Sequence, residues 1–152
     1  MTTEIKATIL KMMLRKNYCV EMSVTGNSMY PQLKEGDSIF LRPSCEYTIG
    51  DIIVFIYKND LLIHRLIKIK DDIYYCKGDS SFRLEDIKKE DIIGSVQNMS
   101  SIDNKFIEMS LSVNEEFVSN GYEIEATKAS DIYLKYKNQY LEGVTYVNNE
   151  KR

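Results

Sequence analysis

A mainly β, antiparallel fold with one N-terminal helix is what this sequence predicts, and three observations carry the prediction. From Cys19 to about Lys77, short runs rich in Ile, Val, Phe and Tyr alternate with turn residues, the pattern of short antiparallel strands. Helical periodicity is clearest in the first seventeen residues. After Met99 the chain turns polar and tyrosine-rich, with Tyr122, Tyr133, Tyr136, Tyr140 and Tyr146, and the strand pattern fades.

Thr2 or Thr3 can cap a helix running to about Asn17. Ile5, Ile9 and Met13, joined by Leu10 and Leu14, make one apolar stripe at spacings of three and four. The stripe packs on the body of the domain or, because Lys6, Lys11, Arg15 and Lys16 make the segment basic, rests on a membrane surface as a peripheral contact of residues 1–17. Tyr18 to Val24 reads as a strand with Val20, Met22 and Val24 on one face, and it leads directly into Gly26-Asn27-Ser28. Pro31 cannot continue a central ladder, so the chain bends away there. Ser38 to Arg42 is the next strand, ended by Pro43, and Ile49-Gly50-Asp51 turns into the strand Ile52 to Tyr57. Lys58-Asn59-Asp60 is a hairpin-length loop into Leu61 to Lys70, and Asp71-Asp72 turns into Ile73 to Lys77. Phe82 to Asp91 is polar and reads as loop or a short turn of helix, before a last strand from Ile92 to Val96. Beyond it, Phe106 to Val113 reads as one more strand and Ala129 to Leu141 as a helix with Ile132, Tyr136 and Tyr140 on one face. The expected organisation is a helix over 1–17, a β catalytic domain over 18–99 and an extension over 100–152 of unassigned role.

Bulk properties narrow the function. At 152 residues the chain has room for one domain with an appendage, and 43% apolar with 28% charged residues is ordinary globular composition. A net charge of −3 and a pI near 5.3 create no basic field for nucleic acid. Cys19, Cys45 and Cys76 lie far apart without metal-binding spacing, and an odd cysteine count favours a reducing compartment over a disulfide framework. With a single histidine, neither a zinc site nor any other cofactor is expected. No apolar run approaches the roughly 18–20 residues of a membrane span, and Lys11 interrupts the apolar patch a secretory signal would need. The expectation is a cytoplasmic protein without a membrane anchor.

Three residues supply the chemistry of an acyl transfer. A serine hydroxyl is a weak nucleophile at neutral pH and needs a base in hydrogen-bond reach. Ser28 is the candidate nucleophile and His64, in Ile63-His64-Arg65, the base. The imidazole needs a carboxylate on its other nitrogen, and Asp79 in Lys77-Gly78-Asp79 is placed at a strand end to provide it. Gly26 leaves room for a substrate backbone, and the amide of Ser28 is the natural oxyanion donor. Each residue alone has a plainer reading: a serine in a turn, a structural histidine on a strand, an aspartate after glycine.

Five short segments, in order, change the weight of that plainer reading. Gly26-Asn27-Ser28-Met29-Tyr30-Pro31, then Gly36-Asp37, Gly50-Asp51-Ile52-Ile53-Val54-Phe55, Ile63-His64-Arg65 and Lys77-Gly78-Asp79 closely resemble the boxes of type I signal peptidases. The look is that of the serine–histidine branch; in the related serine–lysine branch, which includes repressor self-cleaving proteases, a lysine stands where His64 stands here. The resemblance covers Glu21 to Val96, about half the chain. It implies antiparallel β-sheets of the signal-peptidase and repressor-protease type, a soluble serine endopeptidase, and cleavage of an extended peptide such as a leader or signal-like peptide. In that reading Ser28 is the nucleophile, His64 the general base and Asp79 the orienting acid. A second acidic residue follows, Asp86 being preferred to Glu85. The substrate adds as a strand along Met22, Val24, Gly26, Asn27 and Met29. Ser80-Ser81 depart from the family, which often carries an asparagine there, and the sequence after Val96 matches nothing in it. The alternative is a non-catalytic peptide-binding or scaffolding protein that keeps the fold.

Overall fold

The protein is described from a computed structural model. Described are residues 2–97 apart from Pro31, Ser44, Cys45, Ser80 and Phe82, together with Ile107, Glu108, Leu111 and Ser112. The expected helix over Ala129 to Leu141 lies outside the described residues.

Helix α1 (Thr3–Arg15) starts where Thr2 Oγ1 accepts the Ile5 amide at 3.2 Å, satisfying one of the free N–H groups of the first turn. It stops at Asn17, whose φ of +61° is left-handed. There the Tyr18 amide donates to the Met13 carbonyl and the Asn17 amide to that of Leu14, the paired bonds of a Schellman cap. Seven strands follow: β1 (Val20–Ser23), β2 (Ser38–Arg42), β3 (Ile52–Tyr57), β4 (Asp60–Lys70), β5 (Ile73–Lys77), β6 (Leu84–Lys88) and β7 (Ile92–Val96). They form one antiparallel sheet in the order β1-β2-β7-β3-β4-β5-β6, so the last strand is inserted near the middle. The β3–β4 and β4–β5 hairpins use the same device. Lys58-Asn59 and Asp71-Asp72 all take positive φ, the conformation a two-residue turn needs to match strand twist.

Both faces of the sheet are covered, which is why β3 reads as an unbroken apolar run, Ile52 to Tyr57, rather than alternating. On one face Ile52, Val54, Leu41 and Ile93 pack with Ala7 and Leu14 of α1. On the other, Ile53, Phe55, Leu66 and Cys76 pack with Ile87 of β6. Gly94 permits the close approach of helix and sheet: a Cβ there would lie 2.9 Å from the Arg42 carbonyl oxygen and 3.1 Å from Leu14 Cδ1. The helix meets the core through Ala7, Leu10, Met13 and Leu14, whereas Ile5, Ile9 and Met12 stand outward. Only part of the expected stripe is therefore used for packing.

Two expectations are corrected. Where loop or a short turn of helix was expected, Leu84–Lys88 form strand β6, and the short turn is present only as the 3₁₀ turn Lys89–Asp91. Polarity misleads there because β6 is an edge strand with one face outward: Glu85 and Ile87 are buried while Asp86 and Lys88 are exposed. In the expected strand Phe106 to Val113, the described residues Ile107, Glu108, Leu111 and Ser112 are helical.

Besides the outer edge of β6, two open backbone edges lie near Ser28 and His64 among the described residues. Strand β1 pairs only with β2, and Asp60 to His64 of β4 pair only with β3, because β5 begins its pairing at Arg65. These edges lie next to Ser28 and His64 in the chain. No helix among the described residues is long and apolar enough to cross a membrane.

Candidate active site

The serine loop is closed at its base by the backbone. The Val24 amide donates to the Asp37 carbonyl at 2.8 Å and the Gly36 amide to the Val24 carbonyl at 2.9 Å. Asn27 Oδ1 accepts the Glu35 amide at 3.2 Å across the loop. Gly26, at φ +77°, reverses the chain in a conformation that L side chains rarely adopt, and so turns β1 into the segment carrying Ser28. A single turn after it, with the Leu33 amide on the Met29 carbonyl at 2.9 Å, sends Met29 into the core.

His64 sits opposite Ile53 in the β3–β4 ladder, 5% exposed, with its ring edge-on to Phe55 at 6.1 Å between centroids. Its Nε2 lies 3.0 Å from Ser28 Oγ. Its Nδ1 lies 3.0 Å from Oε1 of Glu85, a carboxylate with no exposed surface. That contact is an ion-pair distance without hydrogen-bond alignment, and Glu85 Oε2 has no hydrogen-bond partner among the described residues. Strand pairing explains the meeting. Cys76 opposes both Leu66 on β4 and Glu85 on β6, so Leu66, Cys76 and Glu85 share one face with His64, two residues before Leu66.

Asp79 has a different partner from the one expected. Its two oxygens take Arg65 Nε at 3.0 Å and Nη2 at 2.9 Å, a bidentate pair with both side chains at most 1% exposed. Arg65 Nη1 donates to the Gly50 carbonyl at 2.6 Å. The pair therefore ties the turn before β3 to the loop after β5. That loop brings Gly78 against the site: a Cβ on it would stand 2.9 Å from the Ser28 carbonyl oxygen and 3.1 Å from His64 Nε2.

The seven strands and the Ser28–His64 contact sit on the frame of a peptidase. The sequence profile of the family described as peptidase S24-like matches residues 2–97, and the chain belongs to that family. No curated protein matches the chain.

The structure brings Ser28 and His64 together and does not bring Asp79 or Asp86 to the imidazole. Asp79 is held by Arg65, and Asp86 points to solvent on the outer face of β6. Glu85, the less preferred of the two acidic residues, is the carboxylate beside Nδ1. Among the residues expected to meet substrate, Met22 is half-buried, Gly26 and Asn27 lie on the accessible loop, and Val24 is buried. Met29 departs from the expectation: it is 1% exposed and its sulfur accepts the Asp79 amide at 3.4 Å, so its side chain serves the core.

Lys77 and Arg83 went unread in the sequence. Arg83, 56% exposed, puts Nε 3.1 Å from Glu85 Oε1 and its guanidinium over the Tyr57 ring at 5.2 Å. Lys77 is 4% exposed and donates to the Gly78 carbonyl at 3.1 Å. Burial pulls its pKa down from 10.5 to about 8, against the opposing pull of Asp79 and Glu85. Cys76, buried near Glu85, has its thiol pushed well above the usual range by burial and then by that carboxylate.

Urea unfolding of wild type and Lys77→Met across pH 7 to 10.5 tests the buried ammonium. The folded pKa lies below the unfolded one, so the folded state is penalised while the ammonium is charged, and the variant should be the more stable at pH 7. Between pH 8 and 10.5 the unfolded chain holds more protons, and wild type should gain on the variant by at most about 1.4 kcal/mol per pH unit. Cys76 acts in the opposite sense above pH 9 in both proteins, so the difference between them isolates Lys77. Parallel stability curves would contradict the assignment.

Proposed function

We propose that the protein is a serine endopeptidase in which Ser28 attacks, His64 carries the proton and Glu85 holds the imidazole. The observation that supports this most is the succession of Ser28 Oγ, His64 Nε2 and Nδ1, and Glu85 Oε1, with both contacts at 3.0 Å. As Oγ bonds to the scissile carbonyl carbon, its proton passes to Nε2, and the imidazolium formed is stabilised by the buried carboxylate. The Ser28 amide donates to the developing oxyanion. The imidazolium then gives its proton to the leaving amine, and a water, deprotonated by the same nitrogen, releases the acyl group from Ser28.

The substrate in this reading is an extended peptide. It adds its backbone to the open edge of β1, with the open stretch Asp60 to His64 flanking the same centre. Gly26 has nothing within 4 Å of where a Cβ would stand, which leaves space for a substrate backbone beside Ser28. The ordered likeness to serine–histidine signal peptidases supports cleavage of a leader or signal-like peptide, here by a cytoplasmic enzyme.

Assays on extended peptides with a small residue before the scissile bond test the proposal. Ser28→Ala and His64→Ala should each lower kcat/KM by at least about 10³-fold, the scale seen when a triad member is removed. Wild-type activity should fall with decreasing pH, because a general base accepts a proton only in its neutral form. Variants that cleave as well as wild type would remove the proposal. A wild type that binds the peptides and leaves them whole would support the non-catalytic scaffold instead.

A peripheral membrane contact is a separate proposal, favoured by the outward Ile5, Ile9 and Met12 and by exposed Lys6, Arg15 and Lys16 on the same helix. Wild type should co-sediment with anionic liposomes and Ile9→Glu should not; equal sedimentation of the two would contradict it.

A further inference from the structure

Glu85 Oε1 is shared. His64 Nδ1 approaches it from inside the fold at 3.0 Å, and Arg83 Nε from the solvent side at 3.1 Å. The carboxylate has no exposed surface, while the Arg83 side chain is 56% exposed. Arg83 lies two residues before Glu85, at the mouth of β6, and its guanidinium rests on the Tyr57 ring at the far end of β3. An arginine stacked on an aromatic ring and hydrogen-bonded through Nε to a carboxylate oxygen is restrained by two contacts.

We propose that Arg83 is a positioning residue of the active site, which aims Glu85 Oε1 at His64 and at the same time weakens that carboxylate's hold on the imidazolium. The inference rests on the serine-peptidase reading above and adds a residue that never meets the substrate in it. Two effects follow from one contact. The guanidinium fixes the carboxylate, whose other oxygen has no partner among the described residues to fix it. The same positive charge stands on the carboxylate oxygen that faces the ring, so removing it changes the field in which an imidazolium would form.

The other charged and titratable groups around this pair are Lys77 and Cys76 on β5, both electrostatically coupled to Glu85, and the Arg65–Asp79 pair joining β4 to the loop after β5. Each of these is buried. Arg83 is the exposed cation of the set, so bulk salt screens it more than the others.

The chain has one histidine, so the imidazole resonances of the intact protein report His64 alone. NMR titration of wild type and Arg83→Gln should show the His64 midpoint moving up by a few tenths of a pH unit in the variant, the scale of an exposed ion pair. Added salt should move the wild-type midpoint the same way and leave the variant's nearly still. Tyr57→Leu, which loosens the arginine, should give a smaller upward shift, and Arg83→Lys should fall between wild type and Arg83→Gln. In cleavage assays the acid limb of the pH–rate profile should follow the NMR midpoint, and kcat should fall about two- to tenfold with KM unchanged, as a modest loss of positioning predicts. An unmoved midpoint in Arg83→Gln, with the fold intact by urea unfolding, would overturn the inference. A midpoint that moves in a protein without peptidase activity would leave the Arg83 contact standing and remove the protease reading beneath it.

Discussion

The buried pairing of Arg65 with Asp79 is the contact on which the rest of the site depends. Arg65 sits on β4 next to His64, reaches the Gly50 carbonyl ahead of β3 and holds the loop after β5 through Asp79. Those three connections set where Gly78 lies, and Gly78 packs against Ser28 and His64 with no room for a methyl group. Removing one partner of such a pair leaves the other buried and uncompensated, a cost of about 3–5 kcal/mol. The loop that packs against Ser28 and His64 is thus anchored by a structural ion pair one residue along the strand from His64, a contact that serves the stability of the fold.

Division of labour between carboxylates follows from this. Asp79 is engaged on both oxygens by the guanidinium fork, whereas Nδ1 of the imidazole lies beside Glu85. Glu85 reaches the ring from β6, on the face shared with Cys76 and Ile87. Lys77 adds a second buried cation near both acids, at a desolvation cost its lowered pKa records. Two buried acids and two buried bases thereby lie close behind one serine. Partial compensation of this kind lets a polar centre persist beside the apolar cluster of Ile53, Phe55, Leu66 and Ile87.

Much of the sheet was legible because its strands obey simple patterns. Ser38–Arg42, Ile52–Tyr57, Ile73–Lys77 and Ile92–Val96 are bounded by turn residues and have the strand limits their sequence suggests. The pairing of Ser28 with His64 was expected because the chain has a single histidine, and the structure brings the two to 3.0 Å. Glu85 was harder to see. Period-two reading of Leu84 to Lys88, anchored on the apolar Ile87, would have turned Glu85 inward and Asp86 outward, but the segment's charge made it look like loop. Asp79 misled for a different reason: nothing local shows that Arg65, fourteen residues earlier, will claim it. Partner choice among buried charges is a property of the folded sheet and of strand register. On α1, Ile5 and Ile9 match the helical period as well as Leu10 and Leu14 do, and only the position of Gly94 beneath Leu14 decides which face is used.

In the proposed division of roles, Glu85 serves the imidazole and Asp79 the fold. Peptide cleavage and urea unfolding measured together on Glu85→Gln and Asp79→Asn separate the two most directly. Glu85→Gln should lose about 10²–10⁴-fold in kcat, the scale expected when the base loses its orienting acid, while remaining folded. Asp79→Asn should lose several kcal/mol of stability, about 3 or more, and keep most of its activity per folded molecule. The reverse outcome, an active Glu85→Gln beside a stable but inactive Asp79→Asn, would contradict the assignment.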